Sequence, residues 1–193
     1  MSEITPPQLD PTRISVECFL HLFEEGALGD EDRVELLEGV IVAVTPPNPA
    51  HDEAVTVCTY ALMRACEERA VVRTQCSFVA GKWSLPQPDV AVVPGRLGDH
   101  WTNHPRRALL LVEVADSSVK QDRLSKARIY AAADVPEYWI VNLRDHLIEV
   151  MRDPDPATAL YRDTRTASAG ETLEIAALPG ARVAVSDLLP AHR

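Results

Sequence analysis

Leu109-Leu110-Leu111-Val112-Glu113-Val114-Ala115 is the stretch that decides the fold. Six of its seven residues are apolar, and it is bounded by Arg106-Arg107 and by Asp116-Ser117-Ser118. A short apolar run between polar boundaries reads as a strand buried on both faces, inside a sheet that carries helices on either side. One acid, Glu113, stands within it. A carboxylate in such a strand is costly unless a cation or hydrogen bonds meet it. The sequence offers two groups that could share its site. Asp89 is the acid of a similar run, Pro88-Asp89-Val90-Ala91-Val92-Val93, and Lys126 lies on the segment after the Glu113 strand.

Downstream, Ser118 with Gln121 fits a capping box, and Asp122 is an alternative cap. The helix that follows is expected to reach about 133 and to end at Val135-Pro136, with Lys126, Tyr130 and Ala133 on one face. Glu137 to Val141 reads as a strand turned by Asn142-Leu143-Arg144-Asp145 into a second strand, His146 to Met151. Weaker strand signals lie at 159–161, 172–175 and 181–185, and a short helical turn at Ser186 to Leu189.

Upstream, Val16, Phe19, Leu20 and Phe23 have helical spacing, with Ser15 as N-cap and Gly26 as C-cap. Glu38-Gly39 marks a tight turn between strands Val34 to Leu37 and Val40 to Val44. The proline-rich segment Thr45 to Pro49 then ends strand pairing. A helix over about 50–70 follows, with His51, Asp52 and Glu53 in its first turn. Val71 to Val79 is strand-like, and residues 94–106 form a long loop. From residue 50 the order is helix, strand, strand, strand, helix, strand. That describes an α/β fold with a central mixed sheet flanked by helices.

The chain has 193 residues, 46% hydrophobic and 25% charged, which suits a globular domain with a sizeable core. Residues 1–13 are polar and proline-rich, without the features of a signal peptide, and are expected to be a flexible lead-in to a single domain over 14–193. No apolar run approaches the roughly 20 residues of a membrane span. Cys18, Cys58, Cys66 and Cys76 form no CxxC pair, so zinc-site spacing is absent and free thiols in a reducing cytoplasm are expected. A net charge of −10 argues against a protein that coats nucleic acid by bulk electrostatics. It is compatible with carboxylates that await a metal.

Asp89 and Glu113 have two readings. If their strands are neighbours, both carboxylates reach one point and share a hard divalent cation, Mg²⁺ or Mn²⁺. Otherwise Asp89 caps a strand after Pro88, and Glu113 pairs with a structural arginine. Lys126 has the matching pair of readings: an ammonium brought back to the strand end to face a phosphate, or a solvated helix residue. His51 can serve as a base towards water or hydrogen-bond locally at its helix N-terminus. Glu38 and Gln87 are weaker candidates. His100 and His104 are spaced i, i+4, but Gly98 and Pro105 make a helix there unfavourable. Trp83 and Trp101 could stack on bases, Trp139 belongs to the core, and Arg96, Arg106 and Arg107 border the long loop.

These residues carry a resemblance. Val34-Glu35-Leu36-Leu37-Glu38-Gly39, Pro49-Ala50-His51, the Pro88-Asp89 run, Val112-Glu113-Val114-Ala115-Asp116-Ser117-Ser118, Asp122-Arg123 with Lys126, Tyr130-Ala131, and Val135-Pro136-Glu137-Tyr138-Trp139-Ile140-Val141 resemble the Uma2 family. That family consists of restriction-endonuclease-like proteins of the PD-(D/E)XK nuclease fold, and the match covers roughly residues 15–190. The resemblance implies a metal-dependent nuclease core in which Asp89 and Glu113 hold Mg²⁺ or Mn²⁺. The orthodox motif puts its lysine two residues after the second acid, where this chain has Ala115. The resemblance implies that Lys126 takes its place from the next helix. The function expected is endonucleolytic hydrolysis of DNA, by a homodimer with the hairpin 137–151 as interface. The alternatives are a catalytically silent binding module on a nuclease fold, or a hydrolase of smaller phosphodiesters.

Overall fold

The computed structural model describes residues 12–29, 31–44, 46–115 and 125–190. Helix α1 (Val16–Glu24) starts at Ser15, whose side chain accepts from the Cys18 N–H at 3.2 Å. It ends where Gly26 takes φ +70°, as expected from its sequence. Strands β1 (Val34–Leu37) and β2 (Val40–Ala43) pair antiparallel across Glu38 and Gly39. Both turn residues have positive φ, +49° and +85°, the backbone of a two-residue hairpin turn. Helix α1 packs on this hairpin through Val16, Phe19, Leu36 and Leu85.

Helix α2 (Pro49–Cys66) is shorter than its periodicity suggests. Glu67 and Glu68 both adopt left-handed backbone, which stops it and turns the chain into β3 (Val71–Thr74). Strand β3 ends early because Gln75 also has positive φ, so residues 75–79 leave the sheet. Strands β4 (Val90–Val93), β5 (Leu110–Ala115), β6 (Glu137–Asn142), β7 (Leu147–Asp155) and β8 (Leu160–Ala167) complete a six-stranded sheet in sequence order. Every neighbouring pair is antiparallel except β5 and β6. Between those two lies helix α3 (Ala127–Ala132), the connection a parallel pair requires. The expected caps Ser118, Gln121 and Asp122 lie outside the described residues. Strands β9 (Thr172–Glu174) and β10 (Arg182–Ala184) form a small hairpin ahead of a short 3₁₀ turn, Val185–Asp187.

The sheet is covered on both faces, which is why its central strands read as continuous apolar runs. On one face Val90, Val92, Val112, Val114 and Trp139 pack against Cys58 and Leu62 of α2 and against the β9–β10 tail. On the other, Ala91, Leu111, Tyr138 and Ile140 pack against Phe78 and against Ile129 and Tyr130 of α3. Hairpin 137–151 is not the exposed surface that an interface needs. All of β6 and residues 148–151 of β7 are buried, and β8 pairs along the far side of β7. Among the described residues, no helix is long and apolar enough to cross a membrane.

Candidate active site

Five elements bring their polar residues together. Antiparallel pairing sets Val90 of β4 against Val112 of β5. Continued by one residue, that register sets Asp89 opposite Glu113, and opposite residues of such a pair present their side chains to the same face. The Asp89 carboxylate is fixed there, because its Oδ2 accepts from the Val114 N–H at 2.8 Å. Helix α2 contributes His51. Its N-cap Asn48 accepts from the His51 N–H at 3.0 Å, and Pro49 opens the first turn. This seats the imidazole with Nε2 3.2 Å from Asp89 Oδ2.

Lys126 stands at the start of α3 and extends back to β5. Its Nζ donates to Glu113 Oε1 at 2.9 Å and to Oε2 at 3.0 Å. One helical turn later, the Tyr130 hydroxyl donates to Glu113 Oε1 at 2.7 Å. A third acid completes the cluster. Glu35 of β1 accepts from Lys126 Nζ at 3.3 Å and from the Gln87 N–H at 2.6 Å, both at Oε1. Glu113, Glu35, Asp89 and Lys126 are 4%, 6%, 7% and 8% exposed, so their interactions are little screened by water. Burial, reinforced by the neighbouring Glu113 charge, drives the Tyr130 phenol well above its usual pKa. It therefore remains a protonated donor. Burial, with Asp89 nearby, also pushes the Cys58 thiol up to about 12.

The donor set fits a hard divalent cation. Among the described residues, Glu113 and Glu35 face the Lys126 ammonium, and Asp89 faces the His51 imidazole. The contacts of Asp89 with His51 and with the Val114 N–H both use Oδ2. Among the described residues, no group of three or more His, Cys, Asp or Glu forms a ready-made cage. A Mg²⁺ or Mn²⁺ ion here would rest on one or two carboxylates plus water and phosphate, the usual arrangement for Mg²⁺.

The structure thus gathers all four residues singled out in the sequence: Asp89, Glu113, Lys126 and His51. Among the described residues, Glu113 meets Lys126 and Tyr130. Ala115, at the orthodox lysine position, is buried in β5. Glu38 is outside the cluster, exposed, with a carboxylate oxygen 3.9 Å from Arg128. Gln87 enters through its backbone N–H. No helix forms at His100 and His104. Trp101 is 90% exposed on the long loop, Lys82 lies over the Trp83 ring, and Trp139 is core. Two participants escaped the sequence reading. Glu35 is the acid of the apolar strand Val34–Leu37, the same signal that singled out Glu113. Tyr130 lies four residues after Lys126 on one helix face, where a hydroxyl shares its neighbour's target.

Comparison with known proteins assigns the chain to a family. Residues 16–186 match the family described as "Uma2: Putative restriction endonuclease", and the chain belongs to that family. Among solved structures it is similar to a "putative nuclease belonging to DUF820" from Anabaena variabilis ATCC 29413, with a TM-score of 0.70 at 15% identity. The alignment covers 91% of this chain and 97% of that one, which shows a shared fold. No curated protein matches.

Proposed function

We propose that this protein is a Mg²⁺- or Mn²⁺-dependent endonuclease that hydrolyses DNA phosphodiester bonds. The observation that carries the reading is the convergence of Asp89 and Glu113 on one sheet face, with the Lys126 ammonium 2.9 Å from Glu113. Asp89 and Glu113 are the residues that would hold the ion. When bound, a divalent ion lowers the pKa of water and stabilises charge on the scissile phosphate.

The chain's own groups do the rest. His51 and the Val114 N–H fix Asp89 through Oδ2, which leaves Oδ1 for the cation. Tyr130 fixes Glu113 through Oε1. Lys126 supplies an ammonium that neutralises charge on the scissile phosphate or orients the attacking water. Double-stranded DNA suits a homodimer in which each copy addresses one strand. Four free cysteines suit a reducing cytoplasm.

The test is incubation of plasmid, linear and single-stranded DNA, beside a small chromogenic phosphodiester, with Mg²⁺, Mn²⁺ or chelator. Cleavage of DNA that the chelator abolishes is the expected result. Turnover of the small ester alone would contradict a DNA substrate. Metal binding without any cleavage would point to a silent module.

A further inference from the structure

In this structure the cation that meets Glu113 belongs to the protein. Lys126 Nζ lies 2.9 and 3.0 Å from the two Glu113 oxygens. With the Tyr130 hydroxyl on Oε1, at least three of the roughly four acceptor positions of this carboxylate are engaged. An ammonium and a divalent ion on the same buried carboxylate repel strongly, since little water lies between them. Glu35 is placed differently. Its Oε1 is anchored by the Gln87 N–H at 2.6 Å and is already 3.3 Å from Lys126 Nζ. It sits on β1, outside the six-stranded sheet, and is as buried as the others.

We propose that Glu35 is a positioning residue that takes over the Lys126 ammonium when a divalent cation takes Glu113. The inference rests on the metal-dependent reading above. Lys126 lies between Glu113 and Glu35 and offsets the charge of both buried acids. On loading, it exchanges carboxylates by a small movement. Glu35 keeps a buried carboxylate beside the ammonium, and the ammonium stays within the site.

The direct test is a crystal structure of the full chain with Mn²⁺, located by its anomalous signal. The expected result is Mn²⁺ on Asp89 and Glu113, with Lys126 Nζ within about 3 Å of Glu35 and beyond about 4 Å of both Glu113 oxygens, outside ion-pair range. Mn²⁺ bound while Nζ keeps its Glu113 contacts overturns the exchange and leaves the nuclease reading intact. No Mn²⁺ at these carboxylates at millimolar concentration overturns both. Calorimetric Mn²⁺ titration adds a solution readout. Lys126→Met removes the competing cation and should bind about 10-fold tighter, and Glu35→Gln, without the receiving carboxylate, about 10-fold weaker. Unchanged affinity in either folded variant overturns the exchange. If a variant does not fold, the wild-type Mn²⁺ structure decides alone.

Discussion

Glu113 and Glu137 stand in neighbouring strands, both buried, and are met by different partners. Glu137 receives the Arg152 guanidinium, the Trp139 indole N–H and the Ala176 N–H, at 2.7 to 2.8 Å. Arg152 ties β6 to β7, Ala176 ties it to the segment after β9, and Trp139 braces Glu137 from within β6. Removing the charge should therefore cost stability and nothing else. Glu137→Gln is expected to lower the unfolding free energy in urea by about 3 kcal/mol, with Mn²⁺ affinity unchanged. Glu113→Gln should instead abolish Mn²⁺ binding while the fold persists, because Lys126 keeps Glu35. The sequence signal, one acid in an apolar strand, marks both residues equally. What separates them is the partner, and the partner comes from a distant element. Asp89, Glu113, Lys126 and His51 are legible as candidates in the sequence, whereas Glu35 reads there as a strand residue of the β1–β2 hairpin and only its 3.3 Å contact with Lys126 marks it.

The first turn of α2 governs where His51 points. Asn48 caps it by accepting from the His51 N–H, and Pro49 fits the first helical position because its missing N–H is not needed there. Asn48→Ala should destabilise the protein by about 1 kcal/mol in urea unfolding. It should also loosen the His51–Asp89 contact, measured as a change in the imidazole NMR signals. Local chemistry made several elements readable: the Ser15 cap, the Gly26 stop, the Glu38-Gly39 turn and the order of strands around the crossover helix. The misses have local causes. Three non-glycine residues in left-handed backbone, Glu67, Glu68 and Gln75, shorten α2 and β3, and residue type does not announce that conformation. Strand β8 runs for eight residues although its sequence suggested three, because Arg162, Asp163 and Arg165 on an edge strand hide any apolar alternation.

Across the whole molecule, two layers of apolar side chains enclose the sheet and exclude water from several titratable groups. Cys58 titrates near 9.0 when unfolded and near 12 in the fold, and burial likewise raises Tyr130 above its usual 10.0. Both groups are stabilised in their protonated forms. Their contribution is complete below the unfolded pKa and is lost as pH rises towards the folded one. Stability should therefore fall from about pH 9 upward, by roughly 1.4 kcal/mol per unit for each group inside its window. Urea unfolding at pH 8 and pH 10.5 measures it. The covered mixed sheet was legible because both-face burial leaves continuous apolar runs, whereas the packing of the β9–β10 tail onto the α2 face depends on contacts across the chain. The proposed function requires Asp89, Glu113 and Lys126 to act on a phosphodiester as one unit. The measurement that addresses it most directly is nicking of supercoiled plasmid with Mn²⁺ by wild type, Asp89→Asn, Glu113→Gln and Lys126→Ala, each verified as folded. A loss of at least about 100-fold in all three variants is the predicted result. Cleavage at the wild-type rate by the folded Asp89→Asn or Glu113→Gln protein would contradict it.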